Sequence, residues 1–144
     1  MPVANIQVLA GRPRPVLQQL VRDAARAYAG VLQAPIDRVQ VWVTEVDPEL
    51  VAIAGETADV VLRTAERNDV EIPFAQLSMM EGRPLEQVHH AIAVLTEVIA
   101  GALGGDPARV RVEVQYVSPD RWGIGGIPAS VVRAAEIEAR RAAG

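Results

Sequence analysis

The chain has 144 residues, half of them hydrophobic and 22% charged, which suits one folded domain, or two very small units sharing a core, and excludes a disordered chain. A net charge of -4 argues against a general nucleic-acid binder, and no apolar run reaches the ~18 residues of a membrane span. Cysteine and lysine are both absent, which excludes disulfides, thiolate metal sites, cysteine nucleophiles, lysine Schiff bases and phosphate-loop lysines, and leaves the N-terminus as the one aliphatic amine.

Taken in chain order, residues 3–9 alternate, with Ala4, Ile6 and Val8 on one face and Asn5 and Gln7 on the other, and predict a half-buried strand. Pro13 and Pro15 stand where a helix begins. Leu17, Leu20, Val21, Ala24, Tyr28, Val31 and Leu32 then recur at helical spacing, and Pro35 closes the connection. Val39, Val41 and Val43 alternate with Gln40, Trp42 and Thr44 as a second strand. A Gly-rich turn at 52–55 precedes a helical stretch at 57–67, and residues 68–72 read as a link. The pattern then returns as a strand at about 74–80, a helix at about 85–103 and a strand at about 109–117. A second Gly-rich turn at 123–126 and a helical stretch at 128–143 complete it, with Arg140 and Arg141 near the end, where the helix dipole favours cations.

The return is a repeat. Shifting the chain by 71 residues aligns Pro2 with Pro73, Gly11-Arg12-Pro13 with Gly82-Arg83-Pro84, Arg38-Val39 with Arg109-Val110 and Gly55 with Gly126, with nineteen identities over about sixty positions and no gap. This is a duplicated and fused ancestor. Each unit, 1–67 and 73–144, reads strand–helix–strand, and the helix length suits a right-handed parallel crossover. Side by side the units give an α+β fold of two tandem β-α-β units, a four-stranded sheet with two helices on one face, together making one domain. The uncovered face would carry Leu9, Trp42, Phe74 and Met80 among polar groups, which predicts oligomerisation.

Pro2 follows Met1, and methionine aminopeptidase readily removes a methionine that precedes a small residue. The mature chain then begins with a prolyl secondary amine. Burial and nearby arginines lower the pKa of such an amine, which suits proton abstraction beside a carbonyl. The context sharpens this. Pro2-Val3-Ala4-Asn5-Ile6-Gln7-Val8-Leu9-Ala10-Gly11-Arg12 resembles the start of 4-oxalocrotonate tautomerase and its superfamily, and Pro73 to Arg83 resembles it more closely. The resemblance continues through Ala34-Pro35 and Arg109-Val110-Arg111-Val112 to Trp122-Gly123-Ile124-Gly125-Gly126, once per half.

The resemblance implies the tautomerase fold shared with macrophage migration inhibitory factor, an N-terminal proline as base, arginines that bind the carboxylate and carbonyl oxygens, and an aromatic wall. Carried over, Pro2 is the catalytic base, and Arg83, Arg111 and Trp122 bind substrate. Arg12 is a further substrate-binding residue or only structural. The first half has Gln40 and Val51 where the second half has Arg111 and Trp122, and Pro73 lies inside the chain, where its nitrogen is an amide. One working kind of site per chain follows, with three chains standing in for six short subunits. The implied activity is isomerisation of a 2-hydroxydienoate or related 2-keto acid, with no cofactor and no metal. The implied partners are a small carboxylate substrate and a homotrimer of the chain, with no nucleic acid and no membrane. The alternatives are a hydratase–dehalogenase or decarboxylase of the same superfamily and a non-catalytic ferredoxin-like oligomeric module. The N-terminus has no signal pattern, so a cytoplasmic location is expected. His89 and His90 are adjacent on a helix and read as solvent-exposed or partly buried side chains, Met79 and Met80 as interface packing. Glu45, Glu113, Tyr116 and Asp120 remain as possible water activators.

Overall fold

The computed structural model describes residues 2–144. The expected loss of Met1 therefore lies outside the described residues.

Alternation produces the first strand, β1 (Val3–Leu9), with Ala4, Ile6 and Val8 buried on its inner face. Helix α1 (Arg14–Leu32) begins after Pro13, with Pro15 inside its first turn, where a missing N–H costs nothing. It buries Leu17, Leu20, Ala24, Tyr28 and Leu32, one stripe at the helical period. The chain then enters β2 (Gln40–Val46), whose Val41 and Val43 pack on the core while Gln40, Trp42 and Thr44 face away.

The Gly-rich turn proves to be a hairpin between β3 (Ala52–Ile53) and β4 (Glu56–Thr57). Ala54 and Gly55 both take positive φ at its tip, the conformation that matches the twist of a two-residue hairpin. The continuous helix expected over 57–67 is broken into α2 (Ala58–Val61) and α3 (Arg67–Val70). Residues 63–66 are all exposed and offer no apolar stripe to bury, so packing gives the helix no reason to continue through them. The segment read as a link carries α3 and the buried Val70 and Glu71.

The second half repeats the plan with β5 (Phe74–Met80), α4 (Leu85–Leu103) and β6 (Arg111–Val117). A hairpin of β7 (Gly123–Ile124) and β8 (Ile127–Pro128) follows, and then α5 (Ala129–Val132) and α6 (Ala134–Ala143), separated by a break at Arg133.

The four long strands form one sheet in the order β2-β1-β5-β6. Within each half the pair is parallel, as the crossover helix requires, and the halves join antiparallel through β1 and β5. In that joint Asn5 lies opposite Gln76, its own repeat counterpart, so the pseudo-two-fold axis of the duplication passes between them. Helices α1 and α4 pack against each other and on one sheet face, closing a core of Ala4, Ile6, Leu20, Tyr28, Leu77, Met79, Leu95 and Ile99 drawn from both halves. The Tyr28 hydroxyl, inside this core, donates to the Ser78 carbonyl at 3.0 Å. The opposite face is polar and open: Thr44 donates to Asn5 at 2.8 Å and Gln76 to Glu113 at 3.1 Å, while Trp42 is 41% exposed. Leu9, expected on that open face, is buried at the end of β1, where α3 covers its backbone and Arg67 donates to its carbonyl at 3.2 Å. Gly11 next to it takes φ +120°, and a Cβ there would come within 2.5 Å of the Arg67 guanidinium. No helix among the described residues is long and apolar enough to cross a membrane.

Candidate active site

Pro2 precedes β1 at the end of the sheet, fully buried, with its carbonyl accepting the Gln40 N–H at 3.2 Å as an extension of the β1–β2 ladder. It opens onto a cavity of about 80 Å³ whose other walls include Ala34, Met80, Arg38, Arg83 and Arg140. Arg83 enters from the second half of the same chain. Gly82 before it takes φ +96°, which turns the chain from β5 towards α4. The guanidinium Nη1 of Arg83 donates to the Leu32 carbonyl at 3.0 Å, a carbonyl in the last turn of α1 that has no partner within its helix, and to the Gln87 side chain at 3.3 Å. Gln87 in turn donates to the Val31 carbonyl at 2.9 Å. The Nε of Arg83 is buried without a hydrogen bond. Burial and, next, the charge of Arg140 push the Arg83 pKa below its ordinary value, with Tyr28 acting the other way. Burial is also the main reason that the Tyr28 pKa is pushed above the ordinary phenol value.

The C-terminal helix α6 forms the outer wall. Its Glu136 accepts from Arg38 at 2.8 and 3.1 Å and lies 3.7 Å from Arg133. The hydrogen bond from Arg38, more than any other contact, holds the Glu136 carboxyl below the ordinary carboxylate range. The lining thus sets four guanidiniums, those of Arg38, Arg83, Arg133 and Arg140, against the one carboxylate of Glu136, and can receive an anion.

The repeat builds a second pocket at Pro73, lined by the counterparts Gly105, Asp106, Arg109 and Arg12, and it is nearly closed, with a volume of about 10 Å³. Glu71 fills it. Both oxygens of its carboxylate accept from the guanidinium of Arg12, and one also accepts the Leu9 N–H. Arg109 clamps the same segment, donating to the carbonyls of Glu71 at 3.0 Å and Val70 at 2.8 Å, and Asn68 donates to the Gly104 carbonyl at the end of α4 at 2.7 Å.

Of the residues singled out from the sequence, Pro2 and Arg83 therefore meet within one chain. Arg12 is turned to Glu71 in the other pocket. Arg111 is exposed at the start of β6 on the open sheet face, with its guanidinium donating to the Ala108 carbonyl at 2.8 Å. Trp122, half-buried, follows the turn Pro119–Arg121, and its carbonyl accepts the Ala129 N–H at 2.8 Å. Neither Arg111 nor Trp122 lines the Pro2 cavity of its own chain. Glu45, Glu113, Tyr116 and Asp120 are exposed and also outside it, and His89 and His90 are exposed on α4. Sequence reasoning missed Arg38, Glu136 and Arg140 as site residues. The identity of Arg38 with Arg109 across the repeat was a usable signal for the first, whereas α6 has no helical counterpart of its length in the first half.

The family model described as tautomerase enzyme matches residues 2–60 and again 73–131. The chain belongs to the tautomerase family. Among curated tautomerases, it is 41% identical over 58 residues to the 2-hydroxymuconate tautomerase of Comamonas testosteroni, an alignment covering 40% of this chain and 92% of that one. It is 40% identical over 58 residues, with the same coverage, to a 2-hydroxymuconate tautomerase of Pseudomonas putida. Among solved structures, native fused 4-OT superimposes with a TM-score of 0.80 over 91% of this chain and 98% of that chain, at 24% identity. Macrophage migration inhibitory factor of Toxoplasma gondii does so with a TM-score of 0.67 over 85% of this chain and 96% of that one, at 19% identity. At these identities the two likenesses concern the fold, which is the tautomerase α+β fold carried twice in one chain.

Proposed function

We propose that the protein is a keto–enol tautomerase acting on a 2-hydroxydienoate or related 2-keto acid, with Pro2 as general base once Met1 has been removed. The observation that carries this reading is the meeting of buried Pro2 with Arg83, a guanidinium with no acidic partner among the described residues, in one cavity. Burial and the surrounding guanidiniums disfavour a prolinium cation and leave the amine able to accept a proton near neutrality. Arg83 receives the substrate carboxylate with a planar fork that stays charged. The amine takes the proton of the enol hydroxyl, electron density shifts along the conjugated system, and the prolinium returns the proton to carbon, so the product is an isomer of the substrate. Positive charge at the cavity stabilises the enolate as it develops. Glu136, the acid in the lining, is held by Arg38 with its pKa pushed down, which makes it a poor proton acceptor for water. Ketonisation, which needs no activated water, fits this cavity better than hydration does.

Several structural relatives are fused 4-OT proteins described as trimers, two of them asymmetric and two symmetric. We extend this to the present chain: three copies bury the polar sheet faces, and Arg111 and Trp122 of a neighbouring copy complete the Pro2 cavity. Each chain then has one working site, because the Pro73 nitrogen is an amide and Glu71 fills the pocket around it.

The test is ketonisation of 2-hydroxymuconate and phenylenolpyruvate by wild type, Pro2→Ala and Arg83→Ala, with mass spectrometry to establish loss of Met1. Removal of the positioned base lowers kcat/KM about a hundredfold or more. Equal rates in all three proteins reject the assignment, and turnover of haloacrylates alone moves it to the hydratase–dehalogenase class.

A further inference from the structure

The two repeat-related pockets differ in what stands beside equivalent arginines. In the Pro73 pocket, Arg12 has a carboxylate on its fork, and Arg109 holds the backbone of the segment that supplies it. In the Pro2 cavity, Arg38, the counterpart of Arg109, likewise holds the segment that closes the wall, through Glu136 of α6. Among the described residues, no carboxylate reaches Arg83, the counterpart of Arg12, and its Nε is buried without an acceptor. Instead α6 brings a second guanidinium, that of Arg140, into the same lining. Glu136 is committed to Arg38, so two cations share this cavity without an acid bonded to either. Like charges held together in a partly buried cavity are unfavourable until anions enter. The helix that supplies Arg140 lies beyond the stretches matched by the family model, which end at residue 131.

We infer that Arg140 is a specificity-determining residue of the Pro2 cavity: with one substrate carboxylate on Arg83, Arg140 receives a second, so the site selects dicarboxylates over monocarboxylates. The inference rests on the proposed function for the identity of the reacting ligand, but the binding preference stands apart from turnover. Arg140 lies four residues after Glu136 on α6, one turn further along, and lines the same cavity as the Arg38–Glu136 ion pair. It adds a cation to the lining and takes no part in the hydrogen bonds that fix Arg83.

Arg140→Ala is compared with wild type in two assays. In the first, the ratio of kcat/KM for 2-hydroxymuconate, a dicarboxylate, to that for phenylenolpyruvate, a monocarboxylate, falls about tenfold, the loss of one charge-assisted contact. In the second, calorimetry with unreactive probes, wild type prefers adipate to hexanoate, Arg140→Ala loses that preference, and Arg140→Lys keeps part of it. Arg141→Ala removes the same charge from the next position, outside the lining of the Pro2 cavity, and leaves both readouts as in wild type. A ratio unmoved by Arg140→Ala, an equal loss for both probes, or the same change in Arg141→Ala overturns the inference, as does a wild type that prefers hexanoate. If wild type ketonises neither substrate, the proposed function fails, and the calorimetric comparison still decides the role of Arg140.

Discussion

Replacing Glu71 by alanine leaves the guanidinium of Arg12 buried without a counter-charge. The side chains of this pair are 8% and 3% exposed, so water screens neither. Arg12 loses both of its carboxylate contacts, and the Leu9 N–H loses its acceptor at the end of β1. Removing one partner of a buried ion pair costs about 3–5 kcal/mol, because the remaining charge keeps its desolvation penalty. For a chain of this length each kcal/mol moves the unfolding midpoint by roughly 2–4 °C, so the midpoint falls by roughly 10 °C. Arg109 still holds the carbonyls of Val70 and Glu71, so the segment stays in place and the change reports on the carboxylate. Thermal unfolding followed by circular dichroism, at matched protein concentration, measures it. The alanine variant lacks the equivalent of an acetate ion at a closed cation site, so added acetate recovers part of the loss, whereas chloride at equal ionic strength does not. The double variant Arg12→Met/Glu71→Ala removes the stranded charge and recovers stability without acetate. A Glu71→Ala midpoint within a degree of wild type, or an equal acetate effect in the double variant, would refute the assignment of Glu71 as the occupant of the second pocket.

Leu77, fully buried at the centre of β5, leaves a cavity when cut to alanine, and Leu77→Ala costs about 2–5 kcal/mol by chemical denaturation; a cost under ~1 kcal/mol would contradict a core shared by both halves. The lowered Glu136 pKa makes the anchoring of α6 dependent on pH. Its folded value lies below the unfolded one, so the contribution is complete above the ordinary carboxylate range and is lost as pH falls through the lowered value. Amide hydrogen exchange across residues 134–143, corrected for intrinsic rates, accelerates in that acid window in wild type; the same acceleration in Glu136→Gln would assign it to another group.

The duplication explains why one chain carries two pockets of unlike fate. A copied unit brings its own proline, but a proline inside a chain has an amide nitrogen. The pocket around Pro73 therefore has no amine to protect, and the linker ahead of it is free to settle there. Glu71 satisfies the arginine that the duplication left behind, and the cost of burying that arginine is met by a bidentate partner.

Much of the fold was legible in the residues themselves. The period-two pattern of Ala4, Ile6 and Val8 and the helical stripe from Leu17 to Leu32 are local properties, and the repeat returned them once more from Ala75 to Leu103. Pro2 and Arg83 stood out in the same way, because their neighbours in sequence formed a recognisable set. What packing alone decided is what depends on residues far apart in the chain. The antiparallel joint of β1 with β5 follows from burying both inner faces under one helical layer, and no local pattern records it. Residues 57–67 favoured a helix by composition, yet with no partner face for 63–66 the helix broke in two. Arg12 and Arg83 occupy identical positions in the repeat, and the sequence set Arg12 behind Arg83 without supplying the contact that separates them. Their difference arises from where two non-repeated segments come to rest: one lays the carboxylate of Glu71 on Arg12, and the other carries Arg140 to the cavity of Arg83. Charges act through space over a few ångströms, so which arginine stays available for a ligand is set by tertiary contacts and not by either motif.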